Sequence, residues 1–159
     1  MLSAFSRFFE STQPIKEDIN MKILYSTTAV STGGRDGQVH VENSPLAFEM
    51  ALPAELEGKK EFGANPEQLF AAGYAACFGS ALQHVIRAHK LDIPVPTVHN
   101  TVGIGRNLFG GFSLAVDIVV DFKGVDQSQA DKIAAEAHTV CPYSNATKGN
   151  IDVKISTKV

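Results

Sequence analysis

Asn65-Pro66-Glu67-Gln68-Leu69-Phe70-Ala71-Ala72-Gly73-Tyr74-Ala75-Ala76-Cys77-Phe78 is the stretch on which the fold turns. Asn65 suits an N-cap, Pro66 suits the first helical position, where no backbone N–H is needed, and Gln68 stands where its amide can reach back to the cap. Beyond the cap the residues stay apolar or small nearly all round, through Ala81 and Leu82. The spacing predicts a helix from Pro66 to about His89, roughly 36 Å long at the usual rise per residue. Such a helix belongs in the interior, and its small side chains let other backbones approach closely. Arg87 and Lys90 fall in its last turn, where cations offset the negative end of the helix dipole. Its most apolar part, Leu69 to Leu82, is shorter than the roughly 20 residues a membrane span requires, so no transmembrane segment is expected.

On the N-terminal side, Ile23, Tyr25, Thr27 and Ala29 alternate within Lys22 to Thr32, the period-two pattern of a strand with one buried face. Asp36-Gly37, closing the run Gly33-Gly34-Arg35-Asp36-Gly37, predicts a tight hairpin turn, with Gln38 to Glu42 and Leu46 to Met50 as the next strands of a meander. On the C-terminal side, Thr97 to Gly105 and Phe112 to Phe122 form two long strands joined around Gly110-Gly111. In the second of these, Leu114, Val116, Ile118, Val120 and Phe122 share one face. Ser128-Gln129-Ala130-Asp131 fits a capping box opening a second helix through Val140, and Ile151, Val153 and Ile155 alternate in a last strand. The order β-β-β-α-β-β-α-β predicts an α+β fold, a mostly antiparallel sheet packed on a long central helix.

A chain of 159 residues fits one domain, taken as residues 21–159, with residues 1–20 as a flexible extension. Leu2, Phe5, Phe8 and Phe9 are interrupted by Ser3, Ser6 and Arg7, which is not the unbroken apolar core of a secretory signal. The compartment is therefore read as cytoplasmic. Apolar residues make up 44% and charged residues 19%, so neither disorder nor a fibrous repeat is indicated. A formal charge of −3 offers no broad attraction to phosphate backbones or anionic lipid, which argues against nucleic acid and membrane as partners.

Cys77 and Cys141 are the two cysteines. They are too few for a disulfide-stapled scaffold or a four-thiolate zinc site, and they do not form a C-x-x-C pair. Cys77 lies mid-helix, where a small inert core residue is one reading and a nucleophile the other. Cys141 precedes Pro142, so its sulfur could face a new helix N-terminus that favours thiolate. Burial alone raises a thiol pKa, so a nucleophile here requires a nearby positive group. Arg35, in its glycine-rich turn, is either a solvated arginine or one that reaches inward. Glu67 either complements the helix dipole or, ten positions before Cys77 and on about the same face, holds an arginine above the sulfur. The five histidines show no metal-ligand spacing: His84 and His89 are poorly placed as joint ligands, and His40, His99 and His138 are isolated.

Three runs taken together carry a resemblance: Thr32-Gly33-Gly34-Arg35-Asp36-Gly37, the run from Asn65 to Phe78, and Val140-Cys141-Pro142-Tyr143-Ser144-Asn145-Ala146-Thr147. In this order, with cysteines 141 − 77 = 64 positions apart, they resemble the organic hydroperoxide resistance (Ohr) proteins of the Ohr/OsmC family, from about Met21 to Val159. The resemblance implies an intertwined homodimer with two active sites at the subunit interface. It implies an enzyme, a cysteine-based peroxidase that reduces alkyl and fatty-acid hydroperoxides. Carried over by position, Cys77 is the peroxidatic cysteine, Cys141 the resolving one, Arg35 the group that stabilises thiolate and peroxide, and Glu67 the carboxylate that orients it. No bound cofactor or metal is implied; the reductant is a lipoyl-type dithiol, delivered as dihydrolipoamide or on a lipoylated protein. Phe70, Phe78, Phe109 and Phe112 are expected to line an apolar substrate surface. The alternatives are an OsmC-type peroxidase, a noncatalytic thiol redox sensor on the same fold, or a domain with inert thiols.

Overall fold

The computed structural model describes residues 21–60 and 62–159, so the expected extension at residues 1–20 lies outside the described part. The helix read from the sequence is α1, Pro66–Ala88, and both halves of its capping box form. Asn65 Oδ1 accepts the Gln68 N–H at 2.8 Å, and Gln68 Oε1 accepts the Asn65 N–H at 3.0 Å. Tyr74, Phe78, Ala81, Leu82, Val85 and Ile86 recur at helical spacing and are buried. The opposite face is a correction to the expectation of burial all round: Ala72, Ala76 and Ser80 are exposed. The described residues supply layers for only one side of this helix. By length and composition α1 could cross a membrane. Here it packs its buried face on β4 (Thr97–Arg106) and α2 (Gln127–Val140) as the core of the molecule.

β4 pairs antiparallel with β5 (Phe112–Asp121) over their whole length, from Thr97 opposite Asp121 to Arg106 opposite Phe112. Val116, Ile118 and Val120 of β5, with Phe122 just beyond it, turn to the core as the alternation predicts. β6 (Asp152–Lys158) lies parallel to β5, which requires a crossover, and α2 followed by the short α3 (Pro142–Thr147) supplies it. α2 begins two residues earlier than expected. Asp126, not Ser128, is its cap, because Asp126 Oδ1 takes the Gln129 N–H at 2.8 Å.

The remaining strands, β1 (Ala29–Thr32), β2 (Gln38–Val41) and β3 (Ala47–Glu49), form a separate antiparallel sheet. β1 is shorter than its sequence pattern. Ala29 pairs with Val41, the last residue of β2, so among the described residues no strand pairs with Ile23 or Tyr25, and both are exposed. The turn after β1 is not a two-residue hairpin but a five-residue loop around one 3₁₀ turn, Gly34–Asp36. Gly33 enters it at φ 80, and a Cβ on Gly37 would stand 1.8 Å from the Thr32 carbonyl oxygen, so both positions need glycine. This sheet is joined to the body by a bridge between Met50 and Ala64, where Ala64 N–H donates to Glu49 O at 2.8 Å and Ala51 N–H to Ala64 O at 2.9 Å. Most of its residues are exposed.

Candidate active site

The two cysteines, 64 positions apart in the sequence, come together in the fold. Cys141 closes α2, its N–H bonding to Ala137 O at 2.9 Å, and also caps α3, since Pro142 cannot continue the first helix. That dual position turns its side chain inward, where it is fully buried against the α1 turn that carries Cys77. The sulfurs are 3.6 Å apart, with Cys141 donating, and both are free thiols. A bond between them needs an approach to about 2 Å. Cys77 is the half-buried member and Cys141 the inaccessible one. A reagent arriving from solvent therefore meets Cys77 first.

Burial is the main influence on Cys77 ionisation and pushes its thiol up. The Tyr143 backbone amide, bonded to the sulfur, pulls the other way, and the Cys141 thiol adds to the upward push. No cation figures among these influences. Arg35 is engaged elsewhere, in a bidentate pair with Glu67: one terminal nitrogen donates to Oε2 at 2.8 Å and the other to Oε1 at 2.6 Å. The pair is well shielded, with the Glu67 side chain 12% exposed and that of Arg35 34%. Bonding to Arg35 holds the Glu67 carboxyl below its usual range against the opposing effect of burial. The expected role of Glu67 as anchor for Arg35 thus has its geometry. The expectation that the same pair stands above Cys77 of its own chain does not, because Glu67 and Cys77 share a face but lie nearly three turns apart, about 15 Å along α1.

The four phenylalanines do not form one surface. Phe70 stacks on Tyr143, with ring centroids 6.1 Å apart, and so lies beside the cysteine-bearing turns. Phe112 lines two clefts that also contain Arg35, of about 530 and 460 Å3, with Ile104 common to both. Phe78 is a correction: at 0% exposure it is a core residue, because its position one residue after Cys77 points it between α1 and the sheet. Phe109 is another, standing 96% exposed in the turn between β4 and β5. Among the described residues no group of three or more His, Cys, Asp or Glu side chains converges as metal ligands. His89 instead pairs with Glu136 at 2.7 Å, joining α1 to α2 at the surface.

Sequence reasoning missed the residues that hold the cysteine turns together. Tyr74 is fully buried and its hydroxyl lies 2.9 Å from Ser144 Oγ and 3.4 Å from Thr147 Oγ1. Gly73 makes room for Tyr143, whose hydroxyl would be 3.2 Å from a Cβ placed there. The available signal was spacing: Tyr74 and Ser144 each stand three residues beside a cysteine, Tyr74 before Cys77 and Ser144 after Cys141.

This architecture has relatives. A family model described as OsmC-like protein matches residues 57–156. An organic hydroperoxide resistance protein of Xanthomonas axonopodis pv. citri is 43% identical over 136 residues, covering 85% of this chain and 95% of that protein. The organic hydroperoxide resistance protein OhrB of Bacillus subtilis is 40% identical, covering 85% and 98%. The crystal structure of an organic hydroperoxide resistance protein from Legionella pneumophila superposes with a TM-score of 0.83 at 43% identity, covering 87% of this chain and all of that one. With that identity held over most of both chains, the chain belongs to the OsmC-like family, in its group of organic hydroperoxide resistance proteins.

Proposed function

We propose that this protein is a thiol peroxidase for organic hydroperoxides, with Cys77 as nucleophile and Cys141 as resolving thiol. The single observation carrying the reading is the 3.6 Å separation of two free sulfurs, one reachable from solvent and one enclosed. Cys77 thiolate attacks one oxygen of the hydroperoxide; the S–O bond forms, the O–O bond breaks, and the alkoxide leaves as alcohol after taking a proton. Cys141 then attacks the sulfenic sulfur. The S–S bond forms, the S–O bond breaks, and the oxygen departs as water. Recycling needs two electrons from outside, and a dithiol suits the geometry. Its first thiolate attacks the accessible Cys77 sulfur, releasing Cys141, and its second closes on the mixed disulfide. A lipoyl-type dithiol, free as dihydrolipoamide or on a lipoylated protein, is the reductant proposed, in a reducing cytoplasmic setting that leaves both thiols free between turnovers. No bound cofactor or metal enters this scheme.

The cation that Cys77 requires comes, in this reading, from a second copy. Glu67 and Cys77 are each five residues from Ala72, on opposite sides. A twofold axis crossing α1 at Ala72 brings Glu67 of one copy level with Cys77 of the other, and with it the bound Arg35. The exposed Ala72 and Ala76 permit that close helix approach, and the β1–β3 sheet, mostly exposed in one chain, offers surface for the other body. The homodimer then encloses two sites. Phe70 and the Phe112 cleft supply apolar surface for alkyl or fatty-acyl chains, which hydrogen peroxide has no means of using. Dithiol-driven turnover of cumene hydroperoxide tests the proposal. Cys77→Ser is expected to abolish it, and Arg35→Ala to lower it at least about 100-fold, the scale of a lost oxyanion donor. Unchanged turnover by Cys77→Ser rules the reading out.

A further inference from the structure

We infer that Tyr74 is a positioning residue for the second chemical step, bracing the resolving cysteine against the peroxidatic one through a buried hydroxyl network. The inference rests on the peroxidase reading and extends it to residues that touch neither sulfur's substrate. Tyr74 sits one helical turn before Cys77 on α1, and Ser144 sits one turn after Cys141 in α3. Their hydroxyls meet at 2.9 Å, with Tyr74 at 0% and Ser144 at 1% exposure, and Thr147, at 4%, approaches from the next turn at 3.4 Å. Thr147 is itself fixed, donating to Tyr143 O at 3.0 Å and Ser144 O at 3.1 Å. A six-residue helix has little stability of its own. What pins α3 beside α1 is therefore this network together with the rings of Phe70, Tyr74 and Tyr143, whose centroids lie 5.6 to 6.1 Å apart.

The placement matters for resolution more than for attack. Cys77 is carried by a 23-residue helix that stays in place whatever α3 does. Cys141 is held at the joint between α2 and α3, so its distance from Cys77 depends on α3 staying docked. A sulfenic acid at Cys77 has two fates. It condenses with the Cys141 thiol, losing water, or it meets a second hydroperoxide and gains an oxygen to become sulfinic acid, releasing a second alcohol. Whatever loosens α3 slows the first fate and leaves the second untouched. Buried hydroxyls also carry a large cost if one partner is removed, so truncation on either side should free the joint.

Tyr74→Phe removes the hydroxyl and keeps the ring. The test follows native and variant chains through the first oxidation by cumene hydroperoxide under single-turnover conditions. It then measures, by intact mass with dithiol present, the hydroperoxide concentration at which half the chains carry sulfinic acid. The expected result is an unchanged rate of Cys77 oxidation and a half-inactivating concentration about tenfold lower, the factor set by roughly one buried hydrogen bond. Ser144→Ala removes the same bond from the other partner and should reproduce the effect if Tyr74→Phe does not fold. Thr147→Ser keeps the hydroxyl and should stay near native. A folded Tyr74→Phe with native sulfinic sensitivity, or one whose Cys77 oxidation slows in parallel, overturns the inference while leaving the peroxidase reading intact. A native chain that forms no disulfide with hydroperoxide overturns both.

Discussion

Cys77 presents the central tension of this site. Its surroundings favour the thiol, because burial raises the cost of charge and Cys141 beside it adds to that cost, with only the Tyr143 amide opposing. A nucleophile in this position needs a guanidinium, and Arg35 has one already aligned by two short bonds to Glu67. If Arg35 acts on Cys77, removing it leaves burial unopposed. Arg35→Ala should then move the pH midpoint of Cys77 alkylation upward by about one to three units, the range an adjacent opposite charge produces. Iodoacetamide rates measured across pH on a Cys141→Ser background give that midpoint directly. A midpoint that does not move separates Arg35 from the sulfur. Of these residues, the cysteines and the arginine stood out in the sequence because their motifs are long. Tyr74 and Ser144 were not, because a tyrosine on an apolar helix face and a serine in a helical turn carry no sign of meeting until α3 is folded back on α1.

At the scale of elements, α1 is the part the sequence specified best. Local chemistry decides its start, since Asn65, Pro66 and Gln68 act within one turn of each other. Asn65→Ala leaves the Gln68 amide without its acceptor, and the chain should lose about 1 kcal/mol of stability, read as a lower urea midpoint with unchanged slope. An unshifted midpoint would mean that tertiary packing alone holds that end. The elements that departed from their sequence patterns did so for long-range reasons. The alternation from Ile23 to Ala29 is strand-like, yet β1 begins only at Ala29 because β2 ends opposite it. The parallel placement of β6 against β5 follows from the α2–α3 crossover, and the alternation of Ile151, Val153 and Ile155 says nothing of direction. Phe78 was misread for a related reason: adjacency to Cys77 in sequence becomes a rotation of about 100° on a helix, which carried its ring into the core.

Across the described residues, three features fit together: a central helix exposed on its small-residue face, a mostly exposed sheet bridged to the body at Met50 and Ala64, and an arginine pair nearly three turns from Cys77. If a second copy supplies Arg35 and Glu67, then two inactive variants should repair each other. Mixing Cys77→Ser chains with Arg35→Ala chains, with subunits exchanged, restores one complete site in each mixed dimer, and about a quarter of native turnover is expected for random pairing. Mixtures with no more activity than the Arg35→Ala chain alone would place each site within one subunit. The measurement closest to the central claim is simpler. One equivalent of cumene hydroperoxide is added to the reduced native chain, and to Cys141→Ser, and intact masses are recorded. The native chain should lose two hydrogens and yield a Cys77–Cys141 linked peptide, while Cys141→Ser should gain one oxygen at Cys77. A native chain whose mass does not change, or whose oxygen is retained without the linked peptide, contradicts a sulfur pair built to turn one peroxide into one disulfide.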